Sequence, residues 1–310
     1  VGAFLSGGVD SSAIVALMTR LSGERLKTFS IGFQSEGKSI DERSYAKVVA
    51  DSYDTDHTEV IISGNDVAAE LPAFIRAMDQ PTGDGLNTYL VSQATSRHVK
   101  VALSGLGGDE LFAGYRQYQY LQQSEHISLL WRRLPEWVRT SVRAAAYQVA
   151  RVTGRESIAE IPSWLELEFL ARYLRTRTLF GEASKSALYD DGVIERQSGF
   201  APSIDILRAY NLECELDSIV RVTRLELKSY MAHMLLRDTD AMSMAHSLEV
   251  RVPLIDHKLV EFATRIPASL KLSKARFGML GGRTKVILTD TLHDLLPPSI
   301  VKRRKQGFNM

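Results

Sequence analysis

Residues 2–12 have the sequence GAFLSGGVDSS, in which an apolar run is followed by two glycines, an aspartate and two serines. Apolar residues at helical spacing continue from Ser11 to Leu21, so we expect the glycines to connect a strand to the start of a helix. Gly7 and Gly8 let the backbone turn tightly and approach an anion without a Cβ in the way. The first N–H groups of a helix point outward without helical partners. The stretch therefore predicts an anion-binding strand–turn–helix unit.

Asp10 lies inside this predicted helix start. A carboxylate beside a bound phosphate is repelled unless a cation lies between them, so Asp10 indicates a Mg²⁺ site. The stretch lacks the Gly-Lys-Ser/Thr of the Walker motif, and it lacks the glycine spacing of the dinucleotide fingerprint. The plainer interpretation is a helix cap of serine and aspartate, which stabilises a helix by about 1 kcal/mol.

A second stretch, residues 103–110 with the sequence LSGLGGDE, repeats the arrangement of apolar run, Ser-Gly loop and acidic helix start. In a parallel sheet both loops emerge at the carboxyl ends of strands, where ligands bind. We therefore expect Asp10 and Asp109 to share one magnesium ion. An acidic cap at the start of a helix is the alternative interpretation of Asp109.

Short apolar runs alternate with helical patterns of about 10–15 residues over the first hundred residues, which predicts βαβ units and a parallel sheet. The predicted strands are Gly2–Leu5, Lys27–Phe33, His57–Ile62 and Lys100–Leu103, and the predicted helices are Ser11–Leu21, Asp41–Ser52, Asn65–Met78 and Leu86–Arg97. After Asp109 strand-like alternation nearly disappears, and Leu225–Ser247 is the clearest of several amphipathic stretches. We predict the α/β class, with an α/β core over residues 1–114 and a mostly helical region over residues 115–310.

The composition is that of a folded globular chain, with 45% hydrophobic and 24% charged residues among 310, which excludes disordered and collagen-like classes. Lys+Arg 38 and Asp+Glu 37 leave a net charge of +1, so no nucleic-acid or membrane partner is expected. The single cysteine, Cys214, excludes an internal disulfide framework and fits a reducing, cytoplasmic location. No apolar run approaches the roughly 18 residues of a membrane span.

Five ordered motifs resemble the synthetase domain of glutamine-hydrolysing asparagine synthetases. Residues 6–12 are similar to the PP-motif of ATP pyrophosphatases, which cleave ATP between its α- and β-phosphates. The other similar stretches are residues 104–110 with 112–115, 241–245, 249–256 and 305–308. The resemblance covers nearly the whole chain. It implies a parallel sheet of the ATP-pyrophosphatase, adenine nucleotide alpha-hydrolase-like type, followed by the mostly helical region.

The same resemblance implies roles for individual residues. The residues it implies for the adenosine part of ATP are Phe4, Ile31, Ser104 and Gly105. The residues it implies for pyrophosphate are Ser6, Gly7, Gly8, Ser11 and Ser12. Asp10 and Asp109 are the implied Mg²⁺ ligands and act in catalysis. Lys305 is the implied catalytic lysine, which would neutralise charge on the α-phosphate; a solvated or phosphate-steering basic run, residues 302–305, is the alternative.

Three further residues concern the acceptor substrate. Leu106 lies between the loop glycines, where asparagine synthetases often carry an acid and β-lactam-forming relatives a tyrosine. Leucine neither accepts nor donates a proton, so the identity of the acceptor stays open. Glu249 and Arg251 either contact the substrate carboxylate and amine or form an ion pair that anchors the chain before Pro253.

The reaction that the resemblance implies is the ATP-dependent adenylation of a carboxylate, with the aspartate side chain as first candidate. Ammonia would then displace AMP. Glutaminase domains precede this domain in the relatives, so we expect one upstream in the full-length protein, and we expect a homodimer. The alternatives are an amide synthetase for a sugar acid, peptide or β-amino acid, a tRNA-modifying PP-motif ligase, and a non-catalytic nucleotide-binding module.

Overall fold

The computed structural model of the chain describes residues 1–34, 43–188, 203–210, 217–273 and 282–303. The chain folds into two compact units. The first contains Val1–Gly114, Glu226–Ser273 and the described part of Thr284–Met310, and the second contains Tyr115–Leu225 and the described part of Lys274–Arg283.

A five-stranded parallel sheet forms the centre of the first unit, with the strand order β3-β2-β1-β4-β5. The strands are β1 (Gly2–Phe4), β2 (Lys27–Phe33), β3 (Asp56–Ile62), β4 (Val101–Leu103) and β5 (Glu249–Arg251). The parallel sheet confirms the predicted α/β class, and β1 to β4 agree with the predicted strands to within one residue at each end. Strand β5 was not predicted, because it has a single apolar residue, Val250, between two charged ones and so shows no apolar run.

Helices flank both faces of this sheet. The helices up to the second glycine loop are α1 (Val9–Ser22), α2 (Arg43–Ser52), α3 (Gly64–Ala77), α4 (Gly85–Ser96) and α5 (Gly108–Leu111). Side chains alternate across a strand. Ala3 and Leu5 accordingly pack in one cluster with α1 and α2, whereas Phe4 packs with Phe29 in another. The helices α1 to α4 confirm the predicted helices as far as the described residues extend, since 41 and 42 lie outside them.

Local sequence explains where α3 begins. Ser63 Oγ accepts a hydrogen bond from the Asp66 backbone N–H, and the Asp66 carboxylate accepts one from the Ser63 N–H. This capping box satisfies two donors that a helix start leaves open.

The second unit is helical throughout its described part. Its helices are α6 (Arg116–Arg133), α7 (Glu136–Thr153), α8 (Glu156–Glu166), α9 (Phe169–Arg177), α10 (Glu182–Leu188), α11 (Ser203–Tyr210) and α12 (Ser218–Glu226), the last of which ends at the first residue of the next segment of unit one. Trp131, Trp164 and Leu165 form a buried cluster there.

The predicted amphipathic helix over Leu225–Ser247 is helical but not uniform. A π-helix, Leu227–Leu235, separates α12 from α13 (Leu236–Met244). Apolar spacing does not distinguish an α-helix from a π-helix, so the change was not predicted from the sequence. The remaining helices are a 3₁₀ turn (Pro253–Ile255), α14 (His257–Thr264), α15 (Ala268–Lys271), α16 (Val286–Thr291) and α17 (Pro298–Val301).

The later segments return to the sheet. Strand β5 pairs with β4, and Leu292, Leu296 and Ile300 are buried in the same cluster as Ala3 and Leu5. These segments therefore belong to the first unit together with the sheet. The division of the chain into domains over residues 1–114 and 115–310 stays a prediction. Within the described ranges, no helix has both the length and the apolar character needed to cross a membrane.

Candidate active site

The two glycine loops lie side by side. Strands β1 and β4 are neighbours, with Ala3 opposite Leu103, so the loops that follow them share the carboxyl edge of the sheet. A Cβ on Gly105 would lie 2.5 Å from the Ser11 backbone nitrogen and 2.8 Å from the carbonyl carbon of Asp10. Only a glycine permits this approach, so the second loop packs directly on the start of α1.

The first loop is shaped by its own serines and by α2. Gly7 has a φ of 70°, and a Cβ there would lie 2.5 Å from the Ala46 nitrogen. The Ser6 and Ser11 hydroxyls are 3.1 Å apart, and the Ser11 hydroxyl donates to the Gly8 carbonyl. These contacts hold the turn, in which Ser6 is exposed.

Ser12 differs from the other predicted pyrophosphate residues. Its side chain is fully buried, and its hydroxyl has no hydrogen-bond partner among the described residues. The Ser12 N–H donates to the Gly8 carbonyl over 3.0 Å. The structure therefore places Ser12 beneath the loop, while Ser6 is exposed at its surface.

Asp10 and Asp109 converge on one buried ammonium group. Lys285 Nζ lies 2.5 Å from Asp10 Oδ2 and 2.8 Å from Asp109 Oδ1. Burial lowers the pKa of Lys285, but the two carboxylates more than offset this effect, so that the pKa is raised above its ordinary value. The lysine is therefore charged, and it contacts both carboxyl groups.

The glycines of the second motif make room for this cluster. A Cβ on Gly108 would overlap the Asp10 carboxylate, and one on Gly114 would overlap Asp109 Oδ1 and Lys285 Cε. Lys285 itself has a φ of 52° at the start of α16, a conformation that few lysines adopt. Lys285 was not predicted from the sequence, because no local motif marks it and only the folded chain brings it between the two acids.

This arrangement fits a magnesium site. Two carboxylates already share one cation, the Lys285 ammonium, and carboxylate oxygens are ligands that Mg²⁺ prefers. No group of three or more His, Cys, Asp or Glu side chains among the described residues is suited to hold a metal. Mg²⁺ is commonly bound by one or two carboxylates together with water and substrate phosphates, so Asp10 and Asp109 are a sufficient protein contribution.

A pocket of about 140 Å³ opens at the carboxyl end of β1, beside the middle of β2. Of the predicted nucleotide-binding residues, Phe4, Ser6 and Ile31 line it, whereas Ser104 and Gly105 do not. Leu5 and two residues of β2, Phe29 and Ser30, also line the pocket without having been predicted. The other unpredicted lining residues come from α2 and α4 and are Arg43, Ala46, Asn87, Thr88 and Val91. Their contribution depends on how the helices pack on the sheet, which no local motif specifies.

Comparison with known proteins identifies the family of the chain. The family model described as asparagine synthase matches residues 1–310, which is the whole chain. The chain belongs to the asparagine synthase family. The resemblance carried by the five sequence motifs is thereby confirmed.

Individual relatives extend the comparison. Asparagine synthetase [glutamine-hydrolyzing] 1 of Bacillus subtilis is 31% identical over 99% of this chain and 46% of its own length. A putative asparagine synthetase [glutamine-hydrolyzing] of Mycobacterium tuberculosis is 31% identical over 99% of this chain and 44% of its own length. Amidase chyE of Penicillium rubens is 26% identical over 88% of this chain and 44% of its own length. The chain thus spans less than half the length of these relatives.

In this member of the asparagine synthase family, the three residues that the sequence relates to the acceptor substrate lie near the second loop. The Leu106 N–H is 3.4 Å from the Ser104 hydroxyl, and the Ser104 N–H donates to the Arg251 carbonyl. Glu249 and Arg251 are exposed on β5 and form an ion pair with each other at 2.8 Å. The ion-pair interpretation thus describes a contact that exists, whereas a contact with substrate stays a prediction. Lys305 lies outside the described residues.

Proposed function

We propose that this chain is the synthetase part of an amide-forming ligase of the asparagine synthetase type. It would use ATP to activate a carboxylate and then join the activated carboxylate to ammonia. The observation that carries the proposal is the convergence of Asp10 and Asp109 on one buried cation beside the first glycine loop.

The first step is the attack of a carboxylate oxygen on the α-phosphorus of ATP. The bond from that phosphorus to the oxygen bridging to the β-phosphate breaks, and pyrophosphate leaves with the bonding electron pair. The product is an acyl-adenylate. The ammonia nitrogen then attacks the acyl carbon, the bond from that carbon to the phosphate oxygen breaks, and AMP leaves while the nitrogen loses a proton.

The residues of the site manage the charge of this reaction. Asp10 and Asp109 would hold Mg²⁺, which when bound neutralises phosphate charge and polarises a phosphoryl oxygen. Lys285 has three N–H donors, of which two face the carboxylates, and we propose that the third donates to a phosphate oxygen of bound ATP. The first glycine loop and the start of α1 would bind the departing pyrophosphate.

The aspartate side chain is the first candidate acceptor, because two of the relatives are named asparagine synthetases. Leu106 does not contradict adenylation, since a carboxylate nucleophile is already ionised at neutral pH and needs no general base. Leu106 together with the relative named as an amidase supports a second candidate, a related synthetase acting on a sugar acid, a peptide or a β-amino acid.

In the full-length protein, an upstream glutaminase domain would supply ammonia from glutamine. The cytoplasmic location and the homodimer stay predictions.

The test measures product formation from ATP, Mg²⁺ and ammonium chloride with a panel of carboxylates that includes aspartate, a sugar acid and a β-amino acid. We expect one carboxylate to raise the release of AMP and pyrophosphate in equal amounts, with no ADP. If ATP binds but no carboxylate raises pyrophosphate release above the rate with ATP alone, the non-catalytic nucleotide-binding module replaces this proposal. Formation of ADP and phosphate would exclude adenylation.

A further inference from the structure

Arg303, which follows α17, reaches back to the first glycine loop. Its Nη1 donates a hydrogen bond to the Gly7 carbonyl over 3.1 Å. Its guanidinium carbon lies 4.2 Å from the centroid of the Tyr45 ring, in the geometry of a cation–π contact. An arginine from the far end of the chain is thus fixed against the loop that the proposed function assigns to pyrophosphate.

We propose that Arg303 is a positioning residue that fixes the peptide unit between Gly7 and Gly8, so that this loop keeps its N–H groups, rather than a carbonyl, toward the phosphates. The inference rests on the proposed function, since it concerns how the loop accepts the β- and γ-phosphates of ATP.

The peptide between Gly7 and Gly8 needs such a restraint. Neither glycine has a Cβ to oppose rotation of the peptide plane. Rotation of this peptide plane would turn the Gly7 carbonyl to the side on which the Gly8 N–H now lies. A carbonyl oxygen that faces a phosphate is electrostatically unfavourable. Arg303 binds the carbonyl end of this unit, while the N–H end lies 3.4 Å from the Ser6 hydroxyl. A charged donor makes the stronger of these two hydrogen bonds.

The arginine is itself held in place. Ile300, three residues earlier, is fully buried in the cluster that contains Ala3 and Leu5, so the backbone leading to Arg303 is anchored under the sheet. Tyr45 carries the ring that the guanidinium covers, and its own backbone packs on Gly7, where a Cβ would lie 2.6 Å from the Tyr45 carbonyl carbon. The same residue therefore contacts both Arg303 and the loop that Arg303 restrains.

The experiment compares ligands with and without the β- and γ-phosphates. We would measure dissociation constants of the full chain for α,β-methylene-ATP with Mg²⁺, for inorganic pyrophosphate and for AMP, together with the thermal midpoint. Arg303→Ala should weaken binding of α,β-methylene-ATP and pyrophosphate about tenfold, the size expected from loss of one hydrogen bond to a charged donor. Its affinity for AMP should stay within about twofold, because AMP does not reach the pyrophosphate loop.

Two variants and one control complete the test. Arg303→Lys keeps the charge but loses the planar stacking, so it should weaken pyrophosphate binding less than Arg303→Ala; it carries the test if the alanine variant does not fold. Tyr45→Ala should weaken the same two ligands by a smaller factor. Arg25→Ala is the matched control, because Arg25 also donates to a backbone carbonyl, that of Asp54 at 3.0 Å, but precedes β2 at the opposite edge of the sheet. It should change no dissociation constant.

The outcomes separate this inference from the proposed function. If the unaltered chain binds neither α,β-methylene-ATP nor pyrophosphate, the proposed function fails and the inference fails with it. If the unaltered chain binds both, and Arg303→Ala or Arg303→Lys weakens AMP as much as pyrophosphate, Arg303 is only a stabilising contact. Unchanged binding of all three ligands in a folded Arg303 variant would also overturn the inference.

Discussion

Each unit of the molecule contains a buried cation in an ion pair, and the two cations differ in their surroundings. Lys285 in the first unit faces two carboxylates, those of Asp10 and Asp109. Arg172 in the second unit forms an ion pair with one carboxylate, Glu125, and donates to the Ser124 carbonyl at 3.2 Å. The pKa of Lys285 is raised, whereas burial lowers the pKa of Arg172.

The difference lies in the groups around each cation. Arg172 pairs with one carboxylate, has Arg132 and Arg221 as further nearby charges, and lies 5.6 Å from the Trp164 ring, which are surroundings typical of a structural contact. Lys285 contacts two carboxylates at the edge of a sheet where ligands bind. Carboxylates are ligands that a further cation such as Mg²⁺ can use, and this separates the candidate site from a structural ion pair.

The largest effect that we expect comes from Asp10→Asn. Loss of one of the two carboxylates that we propose to hold Mg²⁺ should lower the rate of carboxylate-dependent pyrophosphate release at least about 100-fold, because a metal ion contributes several kcal/mol to such a transition state. Asp51→Asn is the control, since Asp51 forms an exposed pair with Lys47 at 3.7 Å. Full activity of Asp10→Asn would contradict the metal role of the cluster.

Arg172→Met tests the structural side of the comparison. It removes the partner of Glu125 from a site where the arginine side chain is 1% exposed, so we expect a loss of about 3 kcal/mol of unfolding free energy. Pyrophosphate release by the folded fraction should not change. Arg175→Met, on the same helix, breaks an exposed pair with Glu160 and should cost less than about 1 kcal/mol. Urea titration measures the unfolding free energy of both variants. Equal losses in the two variants would contradict the distinction.

Local sequence explains most of the fold and half of the site. The strands β1 to β4 and both glycine loops were predicted, because apolar runs, glycines and acids act through their near neighbours along the chain. Strand β5 was missed, since its sequence Glu-Val-Arg contains no apolar run and only the pairing with β4 shows it to be a strand. The π-helix over Leu227–Leu235 was missed because its apolar spacing also suits an α-helix.

The missing half of the site depends on distant parts of the chain. Lys285 lies 275 residues from Asp10, and its role follows from where α16 returns beside the second loop. Asn87 and Thr88 line the pocket because α4 packs beside β2. A single sequence carries no local signal for either placement, whereas the acids that these elements approach were visible in the two motifs.

Lys285→Met tests the same comparison by removing the buried cation of the first unit. Without the ammonium, Asp10 and Asp109 repel each other, so the thermal midpoint should fall at low metal concentration. Added Mg²⁺ should then raise the midpoint more in this variant than in the unaltered chain, by about 2–4 °C for each kcal/mol recovered. NaCl at matched ionic strength should not reproduce the difference. A midpoint that responds to Mg²⁺ equally in both proteins would show that the two carboxylates do not share a metal.

The smallest effect concerns Asp84, a half-buried acid that lies near another acid, Asp238. Burial raises the pKa of Asp84, the nearby carboxylate of Asp238 raises it further, and a hydrogen bond from Tyr230 opposes both effects. The folded state therefore holds the Asp84 proton more tightly than the unfolded chain, so stability falls as the pH rises from the ordinary aspartate range through the raised pKa. Asp84→Asn removes this loss and should increase the thermal midpoint at neutral pH, by less than the about 2–4 °C that 1 kcal/mol produces.

Asp66 provides the control of opposite sign. Hydrogen bonds from the Ser63 hydroxyl and N–H lower the pKa of Asp66, so its contribution to stability is present at neutral pH and is lost as the pH falls through the range below the ordinary aspartate pKa. Asp66→Asn should therefore lower the midpoint at neutral pH and match the unaltered chain in strong acid. Thermal scans from pH 3 to pH 8 measure both variants. If Asp84→Asn and Asp66→Asn shift the midpoint in the same direction at neutral pH, the carboxylate of Asp84 is stabilised by a cation after all, and the contrast with the Lys285 cluster would not hold.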